Sequence, residues 1–306
     1  MENNARIYLF GERHGVATIM DEELRRWGEF YSKGMRHLFL EVSFITAQFL
    51  NAGDERSEGT PAGEYEISED ILTFAKRVRA EYSETIFHGT DIEFDHENAW
   101  AVFSVALHKN GLENSPQSTL AQASIEQARE YLDSRSLAFR ENAMVANFIR
   151  EFDALGGACV MGIYGAAHTG LHAKSFDGSV DSMANQLRQH YGERVTSEDL
   201  SAIPNRTDAL SVNGIEYRAD YYGKAALTGF KDFVSREFWR VQNAFDDVKN
   251  LPKTGDILPH NNYPMQVEVG QVYVLDYTKT DGNVTRQFYR CDGMEADDLL
   301  RTEEFK

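Results

Sequence analysis

The sequence has 306 residues but only two cysteines, Cys159 and Cys291. Two thiols are too few for a disulfide scaffold, and there is no C-x-x-C motif. Cys159 lies in the apolar run 158–161, where a small buried thiol is the ordinary outcome. The scarcity of cysteine therefore excludes a small disulfide-stapled secreted fold.

Long hydrophobic runs are also missing. No apolar stretch approaches the roughly 20 residues that a helix needs to cross a bilayer. The first ten residues, MENNARIYLF, have no basic segment followed by a long apolar one, as a signal peptide would. We therefore expect a soluble protein, with the cytoplasm as its location by elimination.

Basic residues are few relative to acidic ones. Lys and Arg total 31, Asp and Glu total 49, and the formal net charge is -18. Such a charge repels phosphate backbones and anionic lipid, so we expect neither nucleic acid nor a membrane as a partner. The surplus of acidic residues mainly favours solubility, and the 42% hydrophobic content is ordinary for a folded protein.

Several catalytic and binding motifs do not occur. There is no G-x-S-x-G segment, which disfavours a serine hydrolase of the usual α/β type. There is also no G-x-G-x-x-G after the first predicted strand and no Walker A segment. Dinucleotide binding and P-loop nucleotide binding are therefore disfavoured.

Hydrophobic periodicity in the first two thirds of the chain alternates between strand and helix patterns. This alternation predicts β-α-β units and an α/β fold, with a mostly parallel central sheet flanked by helices. The predicted strands are 6–10, 37–42, 85–91 and 158–164. The predicted helices are 16–31, 68–82, 97–109, 119–154 and 182–191.

The pattern changes after about residue 205, so we predict a domain over 1–205 and a C-terminal α+β region over 206–306. In that region, 215–222 alternates like a strand and 231–250 has the pattern of an aromatic-rich helix. Two further strands flank Asp281-Gly282, which is a strong β-hairpin signal. Residues 51–67 are polar and contain glycine, so we interpret them as a loop or a lid.

Ionisable side chains follow all four predicted strands. Glu12 and His14 follow the first strand, Glu41 ends the second, Asp91 ends the third and His168 follows the fourth. In an open parallel sheet, the carboxyl ends of the strands meet at one edge and form the ligand site there. We therefore expect these side chains to converge.

Two segments of the form G-x-x-H supply the histidines, Gly11 to His14 and Gly165 to His168. Glycine lets the chain turn sharply after a strand and lets a ligand approach the backbone. His14, Glu41 and His168 could hold a divalent metal such as Mn, Fe, Co or Zn. Alternatively, His14 with Glu12 could act as a general base that activates water.

The predicted helix 119–154 adds Arg140 and Asn147, which lie on one helical face with Met144. Arg140 could bind a carboxylate or stabilise an oxyanion, and Asn147 and Asp91 could contact substrate. The structural alternatives are a surface ion pair for Arg140 and a turn cap for Asp91. Glu41 could simply pair with Arg13 or Arg140.

Taken together, these motifs resemble the superfamily that joins erythromycin esterases, ChaN-type haem-binding lipoproteins and Tiki metalloproteases. The resemblance covers about residues 5–172 and rests on the two G-x-x-H segments, Glu41 and the Arg140–Asn147 helix. It implies an α/β fold with a polar cleft. It also implies that Glu12, His14, Glu41, Arg140 and His168 carry function.

The resemblance leaves three functions open. The first is a hydrolase in which His14 or a metal activates water against an ester or amide of a small-molecule or peptide substrate. The second is a cytoplasmic haem- or metal-binding protein, which the absence of an export signal disfavours. The third is a peptide-modifying enzyme, in which the segment from His260 to Tyr263 contacts the partner; alternatively, the C-terminal aromatics fill a second core.

Overall fold

The computed structural model describes residues 6–53, 65–259, 262–296 and 299–306. The chain divides into two compact units, Met1–Leu200 and Ser201–Lys306. Of the loop or lid expected over 51–67, residues 54–64 lie outside the described ranges. Within those ranges, no helix is both long enough and apolar enough to span a bilayer.

In its described part, the first unit contains a five-stranded sheet. The neighbouring strands are all parallel, in the order β3-β2-β4-β1-β5, which confirms the predicted α/β class with a parallel central sheet. The strands are β1 (Ile7–Glu12), β2 (His37–Ser43), β3 (Ile86–Asp91), β4 (Val160–Gly165) and β5 (Val195–Asp199). β5 was not predicted from the sequence, because only Val195 in this short edge strand is buried.

Helices connect and flank these strands. The predicted single helix over 119–154 is wrong, because Arg135 adopts a left-handed conformation at φ 52° and Ser136 caps a new helix. The helices of the first unit are α1 (Ala17–Ser32), α2 (Phe44–Ala52), α3 (Glu69–Glu81), α4 (His96–Lys109), α5 (Pro116–Ser134), α6 (Leu137–Ala154) and α7 (Met183–Tyr191).

One face of the sheet packs on α6 and α7. Strand residues such as Ile7, Phe39 and Tyr164 share a fully buried cluster with Phe148 and Leu187 of the two helices. Burying side chains of this size stabilises the fold by about 1.5–3 kcal/mol each. This core holds α6 against the sheet and so determines where its first turns stand relative to the strand ends.

The second unit is built from an antiparallel sheet of eight strands in its described part. The order is β12-β13-β11-β10-β8-β7-β6, and β9 pairs with β13. The strands are β6 (Arg206–Val212), β7 (Ile215–Ala226), β8 (Phe233–Val241), β9 (Lys253–Pro259), β10 (Gln271–Lys279), β11 (Val284–Cys291), β12 (Glu295–Ala296) and β13 (Leu299–Phe305).

The helix predicted over 231–250 is wrong for most of its length. The segment forms β8, and only α8 (Phe245–Val248) is helical. Trp239 and Val241 enter one core cluster of the unit while Phe238 enters the other. Aromatic and β-branched side chains suit a strand that is buried on both faces, and that preference overrides the apparent helical spacing.

The hairpin predicted at Asp281-Gly282 is confirmed, because β10 and β11 pair in register across it and Gly282 has a φ of 84°. The aromatics of the second unit fill a core of their own. Tyr263, Tyr273 and Tyr289 are buried in one cluster. This is the outcome expected if the C-terminal aromatics serve packing.

Candidate active site

The carboxyl edge of the parallel sheet gathers seven side chains, which we call the carboxyl-edge cluster. Five stand on or just after strands, and α6 supplies the other two across the strand ends. The members are Glu12, His14, Glu41, Asp91, Arg140, Glu141 and His168. The convergence that we expected at the strand ends is therefore present in the fold.

Glu41 lies at the centre of the cluster, and its side chain is only 9% exposed. Its Oε2 accepts the Gly165 N–H at 2.6 Å and lies 3.9 Å from His14 Nε2. Its Oε1 accepts from Arg140 Nη2 at 2.7 Å and lies 3.5 Å from His168 Nε2. Burial opposes ionisation, but the nearby positive groups outweigh it and lower the pKa of Glu41.

Arg140 joins Glu41 to the more deeply buried Asp91. The guanidinium donates to both Asp91 oxygens, from Nε at 3.0 Å and from Nη2 at 2.6 Å. Asp91 Oδ1 also accepts the N–H of the next residue, Ile92, at 2.8 Å. The pairing of Glu41 with Arg140, one of the structural alternatives that the sequence left open, is therefore present.

His14 forms the first histidine–carboxylate pair. Its Nδ1 lies 2.6 Å from Glu12 Oε1, and its side chain is 55% exposed. The hydrogen bond to Glu12 raises the pKa of His14 to about 9. The imidazole is therefore held by one nitrogen and presents the other, Nε2, toward Glu41.

His168 forms a second pair of the same kind. Its Nδ1 lies 2.7 Å from Oε2 of Glu141, which is 2% exposed. Burial alone would lower the pKa of His168, but the Glu141 hydrogen bond and the Glu41 charge outweigh burial and raise it. Sequence reasoning missed Glu141, although its position in line with buried Val145, Phe148 and Phe152 places a carboxylate on an apolar helical stripe.

The two motif glycines serve close packing here. Neither Gly11 nor Gly165 has a positive φ within the described chain. A Cβ on Gly165 would stand 3.2 Å from Glu41 Oε2 and 3.3 Å from His14 Nε2, and one on Gly11 would stand 2.4 Å from Thr169 Oγ1. Glycine at these positions leaves room for the carboxylate, the imidazole and the turn after β4.

Two of the cavities that border the cluster share Glu12, His14, Glu41 and Arg140. The first cavity has a volume of about 290 Å³ and extends toward α1 and α3. The second has a volume of about 440 Å³ and extends past His168 to the exposed ring of Phe176. A small ligand in either cavity would contact the shared residues.

Glu23 of α1 is a further carboxyl that sequence reasoning did not select. It lines the first cavity, is 4% exposed, and its Oε1 has no hydrogen-bond partner among the described residues. Burial, together with the neighbouring Glu12, raises the pKa of Glu23 to about 8. The available signal was its four-residue spacing from buried Ile19 and Trp27, which places a carboxyl on the packed face of α1.

Asn147, a substrate residue predicted from the sequence, does not join the cluster. Asn147 is 4% exposed, and its amide donates to Thr90 O and to Gln127 Oε1, so its side chain ties α6 to β3 and α5. Asn147 therefore has a structural role in the fold, and its role as a substrate contact stays a prediction. His260 lies outside the described residues.

The metal set predicted from the sequence is His14, Glu41 and His168, in which Nε2 of each histidine approaches Glu41, at 3.9 Å and 3.5 Å; its role in metal binding stays a prediction. Within the described ranges, no group of three or more His, Cys, Asp or Glu side chains is arranged to hold a metal ion. The guanidinium of Arg140 already supplies a positive charge to Glu41 and Asp91.

No protein-family model and no curated protein matches this chain. Among solved structures, it is similar to a mutant of the erythromycin esterase EreC in its open conformation, at 14% identity and a TM-score of 0.45 over 68% of this chain and 72% of that one. A Bacillus cereus protein is similar at 14% identity and a TM-score of 0.47, over 99% and 85% of the two chains. A succinoglycan biosynthesis protein is similar at 11% identity and a TM-score of 0.47, over 63% and 65%.

Proposed function

We propose that the first unit is a hydrolase that uses water, activated by a histidine, to cleave an ester or amide. The observation that carries this proposal is the pair of His–Glu dyads. Each histidine is held through Nδ1 by its own glutamate, and each turns Nε2 toward Glu41 beside the two cavities. A carboxylate that orients an imidazole in this way is a recurrent device for general-base catalysis.

His14 is the proposed base because it is the more exposed of the two histidines and borders both cavities. In its neutral form, Nδ1–H donates to Glu12 and Nε2 accepts a proton from water. The water oxygen attacks the carbonyl carbon, and the C–O or C–N bond then breaks. His14 returns its proton to the leaving group, so the protein ends the cycle unchanged.

His168 is the proposed stabiliser of negative charge on the carbonyl oxygen. Glu141 and Glu41 favour its protonated form, and it lines the second cavity. A charged donor in a partly desolvated site stabilises a developing oxyanion much more strongly than water does. Arg140, the other candidate for this role, donates to Asp91 and Glu41, so we assign it the task of holding Glu41 in place.

The proposal is tested by hydrolysis of a panel of p-nitrophenyl esters and p-nitroanilides of increasing acyl length. We expect the His14→Asn variant to lose at least about 10²-fold in kcat/KM on the best substrate, the usual contribution of a general base. The matched control is His37→Asn, which changes a histidine at the start of β2 and should leave the rate unchanged. Circular dichroism checks that both variants are folded.

Equal rates in the His14 variant and the wild type would overturn the assignment of the base, and no turnover of any panel member would count against hydrolysis of these two bond types. The metal alternative is separated by a chelator. We expect hydrolysis to survive dialysis against EDTA. Loss of the rate on dialysis, with recovery on adding Mn, Co, Fe or Zn, would favour the metal mechanism.

A further inference from the structure

The lining of the second cavity contains two kinds of side chain. The charged kind belongs to the carboxyl-edge cluster and comprises Glu12, His14, Glu41, Arg140, Glu141 and His168. The apolar kind consists of Leu137 from the start of α6, Ala166 and Ala167 after β4, and Phe176. The mechanism proposed above gives these four apolar residues no role.

Phe176 is the most conspicuous of the four. Its side chain is 86% exposed, a larger fraction than for any other large hydrophobic residue in the described part of the chain. A single exposed apolar residue needs no explanation on an ordinary surface. Phe176, however, lines a cavity that also contains both His–Glu dyads. A ligand that covers this ring removes apolar surface from water and so gains binding free energy.

The loop between β4 and α7 holds the backbone of Phe176 in a defined conformation. The N–H of Gly178 donates to Ser175 O at 2.8 Å, and the N–H of Ser175 donates to Val180 O at 2.9 Å. The hydroxyl of Ser175 is buried and donates to Asp177 Oδ1 at 2.8 Å. Because these bonds already order the loop, a ligand does not have to order it on binding.

The same loop is tied to the second dyad. It leaves the short helical turn that carries His168 and ends at α7, where the N–H of Met183 donates to Glu141 Oε1. Glu141 Oε2 in turn lies 2.7 Å from His168 Nδ1. A ligand group beside Phe176 therefore occupies the same cavity as the imidazole that we propose to stabilise the oxyanion.

The charged part of the lining favours a ligand group without a net charge. Three carboxylates are accompanied by three groups that can be positive, which are Arg140, His14 and His168. The charges balance when both histidines are protonated, and one negative charge is left when His14 acts as a base. An ionised group therefore finds little net attraction to offset its lost hydration.

We propose that the second cavity binds an uncharged aryl group, and that Phe176 is the residue that selects for it. Aromatic rings favour offset or edge-to-face contacts with each other, which add to the gain from burial. The cavity volume of about 440 Å³ leaves room for a ring, since an apolar cavity of about 150 Å³ is enough for benzene. The substrate class is thus an ester or amide that bears an aryl group, a step that rests on the proposed hydrolysis; the aryl site itself does not.

The test uses two methyl ketones, 4-phenyl-2-butanone and methoxyacetone. A ketone has a carbonyl group but no bond that a hydrolase can cleave. The first probe carries an aryl ring, and the second carries a polar ether group in its place. Kd is measured for each by ligand-observed NMR titration near neutral pH. We expect the phenyl ketone to bind at least about tenfold more tightly than methoxyacetone, which corresponds to about 1.4 kcal/mol.

The decisive variant is Phe176→Ala. We expect it to weaken binding of the phenyl ketone by about fivefold or more, because the aryl ring loses its aromatic partner, and to leave methoxyacetone binding unchanged. Phe176→Tyr keeps the ring and should bind the phenyl ketone as the wild type does. Since the side chain of Phe176 is exposed, neither change should impair folding.

The matched control is Phe94→Ala. Phe94 is the 52% exposed phenylalanine that lines the first cavity and is not among the residues that line the second. This variant should bind both ketones as the wild type does.

Equal affinity of the wild type for the two ketones, or a phenyl ketone affinity that Phe176→Ala leaves unchanged, would overturn the proposal. A loss in Phe94→Ala as large as that in Phe176→Ala would also overturn it, because the ring would then not be specific to the second cavity. Because neither ketone is hydrolysed, failure of the esterase assay and failure of the aryl site give separate results.

Discussion

Two pairs of histidines lie on or just after strands of the same parallel sheet. They differ in their hydrogen-bond partners and in their position along the strands. His14 and His168 follow the carboxyl ends of β1 and β4, and each is hydrogen-bonded to its own glutamate. His37 and His88, the far histidine pair, lie on β2 and β3, with His37 at the start of its strand. They bond to each other, His37 Nδ1 to His88 Nε2, at 3.0 Å.

The electrostatic consequences are opposite. Glutamates raise the pKa of His14 and of His168, as described above. Burial, with a smaller effect from His88, lowers the pKa of His37. The ring of His88 stacks on Phe39 at 4.6 Å between centroids, and its Nδ1 lies 3.3 Å from Glu151 Oε2. The far pair is a packed polar contact, whereas the carboxyl-edge pair has charged groups beside cavities.

Whether a histidine can act as an acid or a base therefore depends on its hydrogen-bond partners and on the space beside its ring. All four residues stand on or after strands of one sheet, so the sheet alone does not distinguish them. A separate carboxylate for each imidazole and an open approach to Nε2 distinguish the carboxyl-edge pair. Four substitutions test this difference between the two histidine pairs.

Removing Arg140 should have the largest effect. Arg140→Ala leaves the buried carboxylates of Glu41 and Asp91 without their common partner. Breaking a buried ion pair by deleting one member typically costs about 3–5 kcal/mol. Urea unfolding followed by circular dichroism measures the loss. A loss below about 1 kcal/mol would mean that the carboxyl-edge cluster does not depend on this charge.

Glu12→Gln should then change the titration of His14. Without the Glu12 carboxylate, the pKa of His14 should fall from about 9 toward its ordinary value of 6.5. Because a base must be deprotonated, the wild-type kcat/KM should rise with pH up to about 9. In the variant, that rise should end at lower pH and at a lower plateau. NMR titration of the His14 ring and a pH–rate profile measure the two quantities.

The raised pKa of His14 also makes the free energy of unfolding depend on pH. The pKa of His14 is higher in the folded chain than in the unfolded one. Its contribution to the free energy of unfolding is therefore fully present below about pH 6.5 and is lost as the pH rises through about 9. The stability difference between wild type and Glu12→Gln should accordingly shrink as the pH rises. A difference that grows with pH would contradict the assigned hydrogen bond.

Glu141→Gln tests a positioning residue. Glu141 also accepts the N–H of Met183, and a glutamine oxygen can keep one of these contacts. We expect kcat/KM to fall by about tenfold or more, since the imidazole of His168 loses the carboxylate that orients it. The pKa of His168, followed by NMR, should fall as well. A rate loss without a change in that pKa would mean that the variant only disturbs packing.

Much of the arrangement could be predicted from the sequence, because strand ends are visible in hydrophobic runs. The rule that parallel strands deliver their last residues to one edge located Glu12, Glu41, Asp91 and His168. Arg140 was instead selected from its helical face and from the resemblance, because the rule does not say which face of a helix looks toward the strand ends. The rule does not predict how far along its helix axis a residue lies from the strand ends. Asn147 lies seven residues beyond Arg140, about 10 Å further along the axis, and its amide donates to Thr90 O of the edge strand β3.

Glu23, Glu141 and β8 show why the rest could not be predicted. A glutamate on an apolar helical stripe looks the same in the sequence whether its carboxyl reaches solvent or a histidine, because the partner is distant in the chain: Glu141 and His168 are 27 residues apart. In β8, Phe and Trp recur at spacings that a helix also allows, and the pairing with β7 and β10 decides in favour of a strand. Long-range contacts decide both cases.

The smallest effect is expected at the far histidine pair. Glu151→Gln leaves an amide oxygen that can still accept from His88 or from the more exposed Arg150, so the loss of stability should be about 1 kcal/mol, the net value of one hydrogen bond. The pKa of Glu151 is lowered, although burial opposes this, because His88 and Arg150 favour its ionised form. The stability that it contributes is therefore present above its unfolded pKa and is lost on acidification. Urea unfolding at neutral and acidic pH measures both, and kcat/KM should not change. A loss of stability as large as that of Arg140→Ala, or slower hydrolysis, would mean that the far histidine pair is more than a packed polar contact. The carboxylate partners would then no longer distinguish His14 and His168 from His37 and His88.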